Sequence, residues 1–270
     1  MKAMRTAGPA GGFGRRWFGR RTDRDRRLGL RLTLASGALF LVLVPFTLLL
    51  VLVETAFEPL NDLDESVART LHAYALEHPA WVRLLSVWTD VFGPNTWRVL
   101  VCLAAAWLLY RRAPRLAIWA LTTITVGGLL GLALKVVVAR ARPHLPDPVD
   151  LAPGASFPSG HAVNVTLGVG ILILLILPLL GRRQRVAAWI IGALLVLSVA
   201  YTRVALGVHW VSDVTAGVVF GVAVVAATTA AFETWRREIG RRPAEPHREG
   251  VEPEAKDDIS PKGRAYGQRR

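Results

Sequence analysis

Residues 162–180, AVNVTLGVGILILLILPLL, contain no ionisable side chain, and five other stretches of the chain are almost as apolar. A run of about 20 mostly apolar residues is what an α-helix needs to cross the hydrocarbon core of a bilayer. The candidate spans are approximately 31–53, 94–110, 116–138, 162–180, 187–206 and 211–232. Pro45 and Pro178 fall inside spans, where helices packed in lipid tolerate them better than soluble helices do. The expected fold is therefore all-α, an integral membrane helical bundle with six transmembrane helices. The first span is longer than a signal-peptide core and lacks a small-x-small cleavage pattern, so it reads as a retained anchor.

The formal net charge is +13 in a chain that is 52% hydrophobic. Such a charge invites a nucleic-acid partner, but the cations sit in short clusters between apolar runs and do not form a stripe with interleaved aromatics. They fix sidedness instead. Arg15, Arg16, Arg20, Arg21, Arg24, Arg26 and Arg27 precede the first span, and Arg111, Arg112 and Arg115 lie between the second and third. Arg182, Arg183 and Arg185 lie between the fourth and fifth, and Arg236, Arg237, Arg241 and Arg242 follow the sixth. Six crossings place all four groups on one side, which the positive-inside rule makes cytoplasmic. The expectation is a multi-pass plasma (inner) membrane protein with both termini in the cytoplasm. Three connections are left outside: 54–93, which should form one or two interfacial helices, 139–161, and the turn near 207–210. The domain reading is a disordered basic tail over 1–30, the six-helix domain over 31–235, and a second disordered cytoplasmic tail over 236–270. One cysteine, Cys102, admits neither an intrachain disulfide nor a thiolate metal site. The excess of Arg over Lys, with abundant Ala, Val, Gly and Leu, fits a GC-rich bacterial genome.

Outward-facing loops avoid Arg, yet the second one opens with KVVVARARP (135–143). Lys135 lies near the end of a span, at a depth where an unpartnered ammonium costs about 2–3 kcal/mol. Arg142 follows seven residues later and shares its face if the helix runs on to Pro143, which would stop it. Arg140 reads as an ordinary snorkelling cation. The same connection ends in PSGH (158–161), at the mouth of the most apolar span. There Ser159 and Gly160 can offer backbone N–H groups at a helix start, a ready anion site, and His161 can stand as a proton donor. The third outer turn carries TRVALGVHWVSD (202–213). His209 and Asp213 are four apart on one helical face, so the carboxylate can accept Nδ1–H of the imidazole and free Nε2 as a nucleophile or base. A helix-start carboxylate beside an incidental histidine is the plainer account of that pair taken alone. Spans three to six nevertheless deliver Lys135, Arg142, Ser159, Gly160, His161, Arg203, His209 and Asp213 to one rim. Two histidines, three cations and an orienting carboxylate suit the handling of a phosphate. Asp147 and Asp150 read as loop solvation and His144 as a loop histidine, and His72, His78 and His247 have no assigned role.

Taken together, the three segments resemble the signature of the type 2 phosphatidic acid phosphatase family, lipid phosphate phosphatases related to vanadium haloperoxidases. Lys-x6-Arg-Pro is KVVVARARP, Pro-Ser-Gly-His is PSGH, and Ser-Arg-x5-His-x3-Asp is TRVALGVHWVSD with Thr202 where the family usually has Ser. The resemblance covers roughly residues 60–232. It implies that His209 attacks phosphorus to form a phosphohistidine and that Asp213 orients that imidazole. It implies further that His161 protonates the leaving oxygen and then deprotonates water, and that Lys135, Arg142, Ser159, Gly160 and Arg203 bind the phosphate oxygens.

The expected function is a membrane-embedded phosphatase acting on a lipid phosphate or an isoprenoid or lipid diphosphate at the outer face. No cofactor is expected and no metal, because Lys and Arg already supply positive charge and no carboxylate cluster is shaped for Mg²⁺. The expected partners are the lipid phosphate substrate and membrane lipids, with no nucleic acid. A vanadate-dependent haloperoxidase is a second enzymatic reading, disfavoured by the uninterrupted spans. A transporter or anion-binding scaffold with a degenerate site is the non-enzymatic one, and the aligned His–Asp pair speaks against it. Oligomeric state stays open, since the glycines of 127–131 can pack helices within one chain or between two.

Overall fold

The structure, a computed structural model, describes residues 44–260. The expected tail over 1–30, most of the first span and the last ten residues lie outside the described residues. Ten α-helices follow one another in the described part: α1 (Val44–Glu54), α2 (Glu58–Glu77), α3 (Pro79–Val91), α4 (Pro94–Tyr110), α5 (Pro114–Val138), α6 (Gly160–Ile176), α7 (Arg182–Ala205), α8 (Val211–Glu238), α9 (Pro246–Glu249) and α10 (Lys256–Ile259). There is no strand among the described residues. The expected spans 94–110, 116–138, 162–180, 187–206 and 211–232 fall on α4 to α8.

Lipid-facing helices need not hide apolar side chains, and this bundle does not. Leu129, Leu132, Val136, Val137, Ile118, Leu103, Ile191 and Leu194 all stand exposed on its flanks. In a soluble domain such a surface would be an aggregation site, whereas in a bilayer it is the solvated face. Helix α6 is the exception. Over its apolar window 78% of the residues are buried, against 17% to 44% for the other candidate spans, because α4, α5, α7 and α8 surround it. The segment read as the most apolar of the chain is thus the axle of the bundle.

Two features bring the helix ends together. At Gly217 of α8 a β-carbon would lie 2.9 Å from both the Ser159 carbonyl oxygen and the Ala162 β-carbon, so only glycine lets α8 touch the first turn of α6. Helix α2 turns through 87° from α1 and lays Val67 and Leu71 over Ala162, Ala200, Val204 and Val214, roofing the ends of α6, α7 and α8. The expected interfacial helices of 54–93 are α2 and α3. Helix α3 runs on towards α4 as a 32-residue apolar stretch, Pro79–Tyr110, about 48 Å at 1.5 Å per residue. It therefore extends beyond a hydrocarbon slab about 30 Å thick.

Two expectations need correction. Helix α5 ends at Val138, with Ala139 in the left-handed region (φ 47°, ψ 29°), well before Pro143. Lys135 and Arg142 therefore do not share a helical face; a loop returns Arg142 to the site. The described part of the 236–270 tail is also ordered. Val251, Ala255 and Ile259 are buried in the main core, and Gly250 packs on Pro178. Fully buried Arg236 pairs with Glu233 at 2.6 Å and with Glu254 at 2.5 Å, and Arg115 reaches Glu252 at 3.3 Å. Glu252 and Glu254 lie next to the three apolar residues in a segment that reads as merely polar, and their arginines belong to α5 and α8.

Gly217→Val is expected to wedge α8 off the first turn of α6. Circular dichroism should show unchanged helicity while any activity of the site falls by at least about 10-fold, since roughly 1.4 kcal/mol of misplacement suffices.

Candidate functional site

Helices α5 to α8 alternate in direction, so the end of α5, the start of α6, the end of α7 and the start of α8 meet at one end of the bundle. The turn between α7 and α8 is tight: Val208 N–H and His209 N–H both donate to the Arg203 carbonyl at 3.2 Å. Gly207 makes the reversal with φ 70°, a left-handed conformation that favours glycine. His209 is thereby pressed inward and is 3% exposed. Its Nδ1 lies 3.4 Å from Asp213 Oδ2, longer than a formed hydrogen bond, and its Nε2 lies 3.1 Å from Arg142 Nη1.

Asp213 has no exposed surface. Its Oδ1 accepts from Arg140 Nη1 at 2.8 Å, and its Oδ2 accepts from Trp210 N–H at 2.9 Å and from the Ser156 hydroxyl. The carboxylate caps α8 and faces the imidazole at once, so the plain helix-start account and the chemical one are both satisfied by one group.

The cations of the site are held by loop backbone. Lys135 Nζ donates to the Ala155 carbonyl at 2.6 Å. Arg142 donates to the carbonyls of Val208 (2.6 Å), Gly154 (3.0 Å), Pro153 (3.0 Å) and Ala155 (3.2 Å). Arg203 is buried, bonds Thr89 Oγ1 at 3.1 Å and lies 3.7 Å from Asp150. Gly160 sits beside the Lys135 stem, and half-buried His161 is within electrostatic reach of Arg203, His209, Arg142 and Lys135. All eight expected site residues therefore converge.

Several details differ from expectation. Ser159 N–H is already donated to the Asp213 carbonyl at 3.0 Å, so Ser159 does not offer its backbone donor. Its hydroxyl is instead buried without a hydrogen-bond partner. Thr202 turns its hydroxyl back onto the Val199 carbonyl at 2.6 Å and away from the cluster. Asp150, read as solvation, faces Arg203. Arg140 does not snorkel: it is tied between Asp213 and Asp64 (2.9 Å) and lies over the Trp210 ring at 5.6 Å. Asp64, Ser156 and Arg140 were not singled out as site residues. A second arginine beside Arg142 in an outward loop is the one available hint, whereas Asp64 lies among other acidic residues of α2.

Relatives can now be set beside this geometry. Residues 116–237 match the PAP2 superfamily. A lipid A 1-phosphatase from Rhizobium etli is 32% identical over 173 residues, 54% of this chain and 70% of that protein. The chain belongs to the PAP2 superfamily. An undecaprenyl-diphosphatase from Sulfolobus acidocaldarius is 32% identical over 132 residues, 46% of this chain and 58% of that protein, so the match spans just over half of that relative. A phosphatidylglycerophosphatase B from Bacillus subtilis is 27% identical over 163 residues, 59% of this chain and 78% of that protein. The crystal structure of a transmembrane PAP2 type phosphatidylglycerolphosphate phosphatase from Bacillus subtilis superposes with a TM-score of 0.63 at 24% identity, over 72% of this chain and 97% of that one. It shares the fold. In this PAP2 chain the match begins at α5 and ends at α8, the four helices that carry the eight site residues and the loops between them.

Burial is the chief influence on His209 and holds its pKa down to about 4, with Arg142 and Lys135 pushing the same way and Asp213 opposing them. Burial likewise lowers Arg142. An unfolded imidazole takes up a proton near pH 6.5, while folded His209 refuses it until about pH 4. Between those values the unfolded state binds more protons, so the stability contribution of His209 is complete above about pH 6.5 and is lost as pH falls through about 4. The detergent-solubilised protein is expected to lose more Tm between pH 7 and 4 than His209→Gln does, by the equivalent of about 3 kcal/mol. Parallel Tm curves would mean that His209 titrates normally.

Proposed function

We propose that this PAP2 chain is a membrane-embedded phosphatase that hydrolyses a lipid phosphate, or an isoprenoid or lipid diphosphate, through a phosphohistidine at the outer membrane face. The observation that carries the reading is His209: a buried, neutral imidazole with Nδ1 towards a carboxylate and Nε2 towards a guanidinium. Mere anion binding needs the guanidinium but not the carboxylate behind the ring.

In the proposed reaction the phosphate occupies the space between Lys135, Arg142 and Arg203, whose charges spread over its non-bridging oxygens. The Ser159 hydroxyl and the first-turn N–H groups of α6 from Gly160 onward complete the cradle. The Nε2 lone pair of His209 attacks phosphorus while the bond to the lipid oxygen breaks. His161 gives its proton to that oxygen. His209 keeps the Nδ1 proton and becomes a phosphorylated imidazolium facing Asp213. Water then attacks phosphorus and loses a proton to His161, the phosphorus–nitrogen bond breaks, and inorganic phosphate leaves. Splitting one displacement into two through a labile phosphoramidate lowers each barrier.

The outer face is proposed on charge. The arginines at 111–115 and 182–185 lie at the turns joining α4 to α5 and α6 to α7, the end of the bundle away from His209. The positive-inside rule puts that end in the cytoplasm. The relatives named as an undecaprenyl-diphosphatase, a phosphatidylglycerophosphatase and a lipid A 1-phosphatase support a lipid-linked phosphate as the substrate class.

Phosphate release from a panel of lipid monophosphates and diphosphates by purified protein in detergent tests the reading. Release is expected to persist in excess EDTA, to be inhibited by vanadate, and to fall by about 10⁴-fold or more in His209→Ala with the fold retained. An unchanged rate in that variant overturns the assignment.

A further inference from the structure

The most heavily paired charges in the molecule include two that the reaction above does not use. Asp64 of α2 is 1% exposed. Its Oδ1 accepts from the Ser212 N–H at 3.0 Å, and its Oδ2 accepts from the Ser212 hydroxyl and from Arg140 Nη2 at 2.9 Å. Arg140 holds Asp64 with one nitrogen and Asp213 with the other. The loop is closed around this arrangement by Ser156 N–H donating to the Arg140 carbonyl at 2.8 Å, which sets the Ser156 hydroxyl against Asp213. A guanidinium offers its donors in a rigid fork, so two carboxylates bound at its two ends are oriented as well as neutralised.

We propose that Asp64 and Arg140 are positioning residues that set the plane and the effective charge of the Asp213 carboxylate behind His209. Asp213 must keep one oxygen towards Nδ1 and must stabilise the positive charge that His209 acquires on phosphorylation. Arg140 secures the first requirement by anchoring Oδ1, which leaves Oδ2 facing the ring. It endangers the second, because a full positive charge 2.8 Å away competes with the imidazolium for the same carboxylate. Asp64 removes that competition. With Asp64 and Arg140 cancelling, the trio carries one net negative charge, the complement of the one positive charge formed on His209. The remaining charged groups facing the ring, Arg142 and Lys135, are positive, so no other carboxylate can take over this task.

The proposal rests on the phosphohistidine reading, and its test separates the two. Wild type, His209→Ala, Asp64→Asn, Asp213→Asn and Asp64→Asn/Asp213→Asn are compared for kcat, KM and Tm in detergent. Asp64→Asn is expected to lower kcat by about 10- to 100-fold, the usual size of loss when the partner that orients a functional imidazole's environment is removed. KM should stay within about 2-fold, since the phosphate contacts are untouched. The loss should vanish in the Asp213→Asn background, because Asp64 acts through Asp213. An equal loss in both backgrounds, or wild-type kcat in the single variant, overturns the positioning role. Should Asp64→Asn fail to fold, Asp64→Leu/Arg140→Met replaces the buried pair by apolar side chains, which often restores stability. That folded double variant is expected to remain slow, and wild-type kcat in it overturns the proposal. Phosphate release that does not depend on His209 refutes the phosphohistidine reading itself, whereas His209-dependent release unaffected by Asp64 refutes the positioning role alone.

Discussion

A carboxylate with no exposed surface at the end of an apolar bundle has to be surrounded by donors, and Asp213 is. Removing water from such a group costs several kcal/mol unless charge and hydrogen bonds replace it. Asp213 draws its replacements from three places: the Arg140 fork, the Ser156 hydroxyl and the Trp210 N–H. Arg140 and Ser156 stand near the two ends of the loop joining α5 to α6, Trp210 precedes α8, and Arg140 also binds Asp64 of α2. Satisfying one buried charge therefore fixes how the loop 139–159 closes, how α8 begins and where α2 lies. His209 inherits its position from this arrangement, because it lies in the turn that leads into α8, four residues before the carboxylate.

The bundle supplies the rigidity that such a site needs. Helix α6 is gripped on all sides, and at Gly217 its first turn meets α8 without an intervening side chain. Side chains at the two helix starts are thus held by backbone contacts and do not depend on a flexible loop. The cations follow another principle. Lys135 and Arg142 hydrogen-bond to loop carbonyls, which are neutral acceptors, and neither forms an ion pair of its own with a carboxylate among the described residues. Arg203 lies 3.7 Å from the Asp150 carboxylate. The unpartnered hydroxyl of Ser159 adds a donor that the protein leaves unused.

Much of the site was legible because its determinants are local. His209 and Asp213 are only four residues apart, and although His209 lies in the turn before α8 and not on the helix, that short spacing keeps the two side chains together. PSGH marks a helix start by its own composition, and the long apolar runs declare five of the described helices. Legibility failed where the determinant was a partner far along the chain. Arg140 and Asp64 are 76 positions apart. Nothing near Arg140 separates a snorkelling cation from one wedged between two carboxylates. Nothing near Asp64 distinguishes it from its exposed neighbour Glu65. The segment 246–259 failed for the same reason. Its apolar residues at 251, 255 and 259 are too few to show a helical period, and the arginines that pair with Glu252 and Glu254 belong to α5 and α8.

Hydropathy and charge placement alone determined that this chain is a helical membrane bundle, since the energy of burying about 20 apolar residues in lipid exceeds any local preference. Spacing alone determined which side chains gather at one end of it. Only the tertiary structure decided which donors each buried charge receives. That choice depends on α5 stopping at Val138, on α2 crossing the helix ends, and on one arginine reaching two carboxylates. Desolvation makes those pairings obligatory, and the chain order does not name them.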